Sequence, residues 1–316
     1  MDLRGLLPFL LLASLLLPGA GAQRQYQVGV SPVVVDLGEI LPGTSRIGTF
    51  YLVTSSPDPL LVRLEAIRGT TNFFSRPEYQ HLLPNYSEQD ASPWVSFFEN
   101  PVLLHPASEE VEQLAGKGFR PLNFLLRVPA DAEPGVHTVM LLPTPSVPPG
   151  GSSAATIVAV VSPTLLFRVP GPSLRQGRIL DITPGGGTRD ALNLNIYFHN
   201  TGTVTLASQA DAIGLYDAEG KLVATAQSER GYVQPDGLAR FVAAIPRAQL
   251  PASAYVVRAH ASYLTGETVT EAAVDFSKEP AGPPALPPRA APWEIPAWAV
   301  LLPLILIGLF LYARRR

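Results

Sequence analysis

Residues 191–199 read ALNLNIYFH, and this stretch decides the fold class. Leu192, Leu194, Ile196 and Phe198 alternate without a fault with Asn193, Asn195, Tyr197 and His199. Successive side chains of an extended backbone point to opposite faces, so a period of two predicts a half-buried β-strand, apolar set inward and polar set outward. No helical period competes with it here or elsewhere between the two ends of the chain.

Working outward, Asn200-Thr201-Gly202 turns the chain. Residues 212–216 and 221–225 flank Asp217-Ala218-Glu219-Gly220, a hairpin signal. Pro235-Asp236-Gly237 precedes a strand at 238–245, and residues 250–255 open a last hairpin completed at 268–276. Tyr255, Val257, Ala259 and Ala261 fall on its inner face. Seven strands in residues 178–277 predict an immunoglobulin-like β-sandwich.

Residues 26–169 carry the same rhythm. Pro32 interrupts the β-branched run 28–37, which reads as an edge strand with a bulge. Strands follow at 46–54 and 60–67, where Val62, Leu64 and Ala66 oppose Arg63 and Glu65. The alternation returns at Leu122, Phe124, Leu126 and Val128; residues 129–135 turn, and strands at 136–142, 156–161 and 164–169 close a first sandwich. The fold class expected is therefore all-β, two tandem immunoglobulin-like β-sandwiches.

Two segments break the rhythm. Residues 143–155 (PTPSVPPGGSSAA) are low-complexity and cannot build a core. Residues 70–93 are polar and proline-broken, yet carry Phe73, Phe74, Tyr79 and Tyr86. Aromatic rings on a loop supply rigid contact area for a partner, or else pack the loop onto its own sandwich. These four are the candidate partner-binding residues. Asn85-Tyr86-Ser87 has the form of a glycosylation sequon, a triplet that chance produces often.

The ends assign the location. Residues 1–22 read as a signal peptide: Arg4 gives the positive start, 6–17 the apolar run, and Ala20-Gly21-Ala22 the cleavage site. Residues 278–294 are a proline-rich stalk. Residues 295–313 hold no charge and, at ~1.5 Å per residue, match a hydrocarbon core of roughly 30 Å as one transmembrane helix. Trp293, Trp298 and Tyr312 mark its interfaces, and the basic tail 314–316 stays cytoplasmic. The chain is expected to be a single-pass type I protein of the cell membrane, its bulk extracellular or periplasmic.

Composition agrees. The chain has no cysteine, so each domain must bury a core rather than rely on disulfides, and a hydrophobic content of 47% permits that. Setting aside Asp2, Arg4 and the three tail arginines leaves 19 basic and 25 acidic residues, a net of −6. An acidic exterior argues against nucleic acid as a partner. The five histidines are scattered without metal spacing, although His199 and His260 on outward faces could meet across a sheet. His137 reads as a core residue. Glu109, Glu110 and Glu112 read as a solvated cluster, residues 217–220 lack the alternating oxygens of a calcium loop, and Gly185-Gly186-Gly187 reads as a turn. No G-x-S-x-G elbow or phosphate-cradling loop is present. The expectation is a non-enzymatic binding protein with no cofactor, no metal and no small-molecule substrate.

Ser31-Pro32, Leu41-Pro42-Gly43, Trp94-Val95-Ser96-Phe97, Val128-Pro129-Ala130-Asp131-Ala132 and Pro134-Gly135 occur here in that order. In this pattern the chain resembles surface proteins of the WxL-interacting type and, more distantly, the first domain of periplasmic pilus chaperones. The resemblance implies immunoglobulin-like sandwiches and a role in holding or assembling secreted or envelope proteins. One form of that role is adhesion or scaffolding through exposed loops. The other is a tethered chaperone that complements β-strands at an open sandwich edge.

Overall fold

In a computed structural model of the chain, the described residues are 25–54, 56, 59–105, 118–146, 157–278 and 282–286. The signal peptide 1–22, the span 295–313, the tail 314–316 and most of the stalk 278–294 lie outside them. Among the described residues no helix is long and apolar enough to cross a membrane. Both sandwiches belong to one compact unit, Met1–Ala281.

The first sandwich contains β1 (Gln25–Ser31), β2 (Val34–Glu39), β3 (Ser45–Thr54), β4 (Leu60–Arg68), β5 (Val95–Phe97), β6 (Val102–Leu104), β7 (Gly118–Arg127), β8 (Gly135–Ser146), β9 (Ile157–Val160) and β10 (Thr164–Val169). One sheet runs β5-β7-β3-β1-β9 and the other β2-β10-β8-β4-β6. The run 28–37, expected as one edge strand, is two strands in different sheets. Pro32 has no N–H to give a ladder, and the chain changes sheet there. Only β2 is an edge; β1 lies between β3 and β9. The strand at 156–161 and the next change sheet in the same way around Pro163, so β1 pairs with β9 and β2 with β10, both parallel.

Between the sheets Phe50 and Leu52 of β3 meet Phe124 and Leu126 of β7 and Leu165 and Phe167 of β10. Gly48 sits directly under the Phe124 ring: a Cβ there would stand 2.2 Å from Cζ. The low-complexity segment begins as strand rather than loop. Pro143 and Pro145 lie in β8 opposite Leu64 and Val62, beyond the last residue that β8 shares with β10. On that unpaired flank a missing N–H costs no ladder bond.

The second sandwich contains β11 (Gly177–Gly187), β12 (Ala191–Asn200), β13 (Leu206–Tyr216), β14 (Leu222–Ala226), β15 (Gly231–Val233), β16 (Leu238–Pro246), β17 (Ala254–Tyr263) and β18 (Gly266–Asp275). One sheet runs β11-β12-β16; the other runs β14-β13-β17-β18, with β15 also on β13. Of the inward set of β12, Leu194, Ile196 and Phe198 are buried with Tyr255, Val257, Ala259 and Ala261, while Leu192 is half-buried at the edge of this core. Its outward set is not exposed: Asn195, Tyr197 and His199 retain only 6%, 3% and 4% of their surface. As the middle strand, β12 has neighbours on both flanks, with Thr183 and Val242 beside Asn195, and Asp181 and Arg240 beside Tyr197. Gly185, Gly186 and Gly187 belong to β11 rather than to a turn; the register slips between Pro184 and Gly187.

Candidate functional site

The four sequence-selected rings come together, on the outer face of the first sandwich. Residues 70–93 fold as short 3-10 turns at Thr71–Ser75, Gln80–Asn85 and Ser92–Trp94. Phe73 stacks on Tyr79 with centroids 4.4 Å apart and meets Phe74 edge-on at 5.2 Å; Phe74 tilts against Tyr86 at 4.8 Å. Phe73, Phe74 and Tyr86 are buried with Val136 of β8 and Leu166 of β10, and Tyr79, Val34 and Leu264 pack around them. Leu165 and Phe167 point into the core, so Leu166 between them points away from it, and the insertion is a third layer on that outer face. Of the two roles open to these rings, the geometry matches packing. Burial of each large ring contributes about 1.5–3 kcal/mol.

Leu264 belongs to the second sandwich, so this layer is also the junction of the two. Polar contacts complete it. Glu133, in the turn before β8, accepts from Ser87 Oγ at 2.7 Å and from the backbone N–H and Oγ1 of Thr205, each at 2.6 Å. Glu88 accepts the N–H of Ala207 at 2.6 Å. Both carboxylates are buried, which is tolerable because fixed donors replace the lost water. Burial still pushes the Glu88 carboxyl above the usual range, against the pull of the Ala207 N–H and of Arg175, Arg230 and Arg68.

Arginines tie the remaining backbone. Arg175, on the linker between the sandwiches, donates to the carbonyls of Leu83, at 2.9 Å, and of Tyr86. Arg68 donates to the Glu88 carbonyl at 2.8 Å, and its guanidinium lies 3.9 Å over the Tyr232 ring. Burial lowers the Arg175 pKa and raises that of Tyr86. A guanidinium keeps its charge regardless.

His137 sits beneath this junction, fully buried, as the sequence suggested. Its ring stacks on Phe167 at 5.3 Å and 12° and abuts Trp94 at 5.3 Å. Nε2 lies 2.8 Å from the Glu133 carbonyl. A carbonyl only accepts, so Nε2 carries the proton and Nδ1 is bare. Burial lowers the His137 pKa to about 4, so the ring is neutral at ordinary pH.

His199 and His260 lie in different sheets. His199 faces Asp236 at 3.2 Å in one sheet, while His260 lies in the other, between Asp211 at 2.6 Å and Glu267 at 3.0 Å. Those carboxylates hold opposite ring nitrogens and cannot share one ion with the same nitrogen. No metal-holding group of three such side chains occurs among the described residues.

Sequence reasoning missed Glu88, Glu133, Arg175 and Thr205. Nothing local marks them, because Thr205 lies 72 residues beyond Glu133 and Ala207 lies 119 beyond Glu88. The four rings were visible because their composition clashes with a polar, proline-broken context.

No family model matches the chain, and no curated protein matches it in sequence. Among solved structures it is similar to the CupB2 chaperone of Pseudomonas aeruginosa, 14% identical, covering 75% of this chain and 97% of that one with a TM-score of 0.27. The Escherichia coli chaperone DraB is also 14% identical, covering 79% and 99%, TM-score 0.30. The class 5 fimbriae chaperone CfaA is 9% identical, covering 78% and 98%, TM-score 0.32. Such low identities carry no residue roles across.

Proposed function

We propose that this protein is a membrane-anchored surface or envelope protein that binds and holds other secreted proteins, the role implied by its resemblance to the WxL-interacting type. It acts by binding and not by catalysis. The supporting observation is the junction: Glu133 and Glu88 of the first sandwich accept the backbone N–H groups of Thr205 and Ala207 in the second, Arg68 lies over Tyr232, and Arg175 of the linker donates to Leu83, which joins the sandwiches into one body. A scaffold needs such a body, because ordering two loose domains at each binding event would cost affinity. The sequence supports the location, with the signal peptide 1–22 and the span 295–313 setting both sandwiches outside the membrane.

Crosslinking on intact cells followed by capture of the full chain tests this. The expected result is a reproducible set of secreted proteins, with both sandwiches digested by external protease. Sandwiches protected from protease, or a captured set made up of cytoplasmic proteins, would overturn it.

A second form of the same role is a tethered chaperone acting by β-strand complementation. Its support is that each sandwich, among the described residues, ends in strands paired on one flank only. A chaperone would release captured subunits once they assemble, and a scaffold would keep them. Pulse-labelled subunits in the crosslinked complex separate the two.

A further inference from the structure

Strand β16 is a long open edge of the second sandwich. It pairs only with β12, and the register is unbroken from Leu238 opposite His199 to Pro246 opposite Ala191. The direction of its backbone groups follows from the two ends. Asn200 N–H donates to the Gly237 carbonyl at 3.0 Å, and Arg247 N–H donates to the Asp190 carbonyl at 2.9 Å. Bonded pairs alternate along an antiparallel ladder, so positions 239, 241, 243 and 245 bond to β12. Arg240, Val242 and Ala244 therefore turn their N–H and C=O groups away from the sheet. None of these groups has a hydrogen-bond partner among the described residues. The next position in the outward set is Pro246, which has no N–H to offer and ends the row.

The other edges are less receptive. β2 is broken by a register shift and Gly38, and β11 by two shifts. β5, β6 and β15 have three residues each, β9 four and β14 five. β18 is long and regular but carries Glu267, Glu271 and Asp275, which repel an acidic segment.

Beside β16 there is room. Residues 227–230, which separate β14 from β15, leave an open groove of about 650 Å³ whose lining includes Glu229, Arg230, Arg240, Val242 and Ala244. Past the end of the groove Arg247 stands beside exposed Asp190, whose carbonyl takes its N–H; the charges in the groove are Arg230 and Arg240 against Glu229. Val242 between them is 41% exposed. This patch is basic in a chain whose part between the two ends is net acidic.

We propose that the β16 edge is a strand-addition site for an extended, acidic segment of a partner protein. The incoming backbone pairs with Arg240, Val242 and Ala244, and its carboxylates meet Arg230 and Arg240. The site rests on the proposed function and deepens it by naming the surface that holds the partner.

A fluorescent peptide of sequence GETVTEAAVD, which is acidic and strand-forming in this chain, serves as the probe for the full-length protein. Its anisotropy should show saturable binding that weakens with salt. Val242→Pro removes one outward N–H and no bond to β12, and it should weaken binding roughly tenfold or more, as should Arg240→Glu. Val242→Thr should bind as the wild type does. Amide exchange at Arg240, Val242 and Ala244 should slow when the probe is present, a readout independent of whether Val242→Pro folds. No saturable binding, or equal binding by Arg240→Glu with unslowed amides, would overturn the site. If Val242→Pro instead turns a dimer into a monomer, the occupant is a second copy and the assignment to another protein is wrong. Continued capture of secreted proteins by Arg240→Glu cells would sink this site alone and leave the proposed function standing.

Discussion

The carboxylate of Glu133 accepts both the backbone N–H and the hydroxyl of Thr205, each at 2.6 Å, and so joins the turn before β8 to the second sandwich. The same group holds Ser87, which anchors the aromatic insertion. One buried carboxylate thus fixes three segments at once. Its removal strands three donors rather than one.

Glu133→Ala should therefore cost about 3 kcal/mol or more, since each buried donor left unpaired costs about 1–3 kcal/mol. Thr205→Val keeps the backbone bond and should cost about 1–2 kcal/mol. Urea denaturation of both single variants and the double variant measures the coupling. Additive losses would show that the two groups do not interact.

His137 should make the fold acid-sensitive. Its pKa falls from 6.5 in the unfolded chain to about 4 in the fold, so the unfolded state binds the proton first as pH drops. The His137 contribution is complete above pH 6.5 and falls towards pH 4, by about 3 kcal/mol in total. His137→Phe keeps the ring beside Phe167 and loses the bond to the Glu133 carbonyl. Its stability at neutral pH should drop by about 1 kcal/mol, and the part of the acid slope due to His137 should vanish. An unchanged slope would place the titration elsewhere.

Glu88 carries the opposite sign. Its raised pKa means that the fold keeps a proton that the unfolded chain has already lost, so this contribution shrinks as pH rises above 4.5. Glu88→Gln still offers an oxygen to the Ala207 N–H and removes the buried charge. Its thermal midpoint at neutral pH should equal or exceed that of the wild type, whereas Glu88→Ala should lose about 1–3 kcal/mol by leaving that N–H unpaired. A Gln variant as damaged as the Ala variant would mean that the charge itself, set among Arg68, Arg175 and Arg230, holds the junction.

In the second core, Phe198→Ala should cost about 3–5 kcal/mol. Gly177→Ala should also destabilise, because its Cβ would stand 2.1 Å from Phe198 Cζ. Made together, the two changes should cost less than their sum, since the smaller side chain at 198 frees the space that the new methyl needs. Strict additivity in chemical denaturation would refute this contact.

The aromatic insertion should behave as core. Phe74→Ala and Tyr86→Ala should each cost about 3–5 kcal/mol, with a smaller loss at half-buried Tyr79. Thermal unfolding and crosslinked capture, measured on each variant, separate the two roles. Lost capture at unchanged stability would restore these rings as the partner contact.

The sequence alone determined the all-β class and the inward face of β12, but not every strand: the second sandwich has eight among the described residues where seven were expected. Residues 191–199 alternate without a fault, and the inward set, Leu194, Ile196 and Phe198, is buried as the period requires, because a pleated backbone leaves a side chain only two directions. Where two faces compete the sequence ran out. Asn195, Tyr197 and His199 are polar or amphipathic, and nothing in residues 191–199 reports that β11 and β16 flank them on both sides. Gly185, Gly186 and Gly187 look locally like a turn, and only the facing strand β12 holds them extended. The four rings were legible as a group with packing and partner contact both open, because the surface that buries them comes from β8, β10 and the second sandwich. The partners of Glu88 and Glu133 were invisible for the same reason. A hydrogen bond needs atoms within about 3 Å and carries no trace of how far apart they lie in the chain. Local periodicity specifies strands, and only the packed sandwiches decide which of their charges meet.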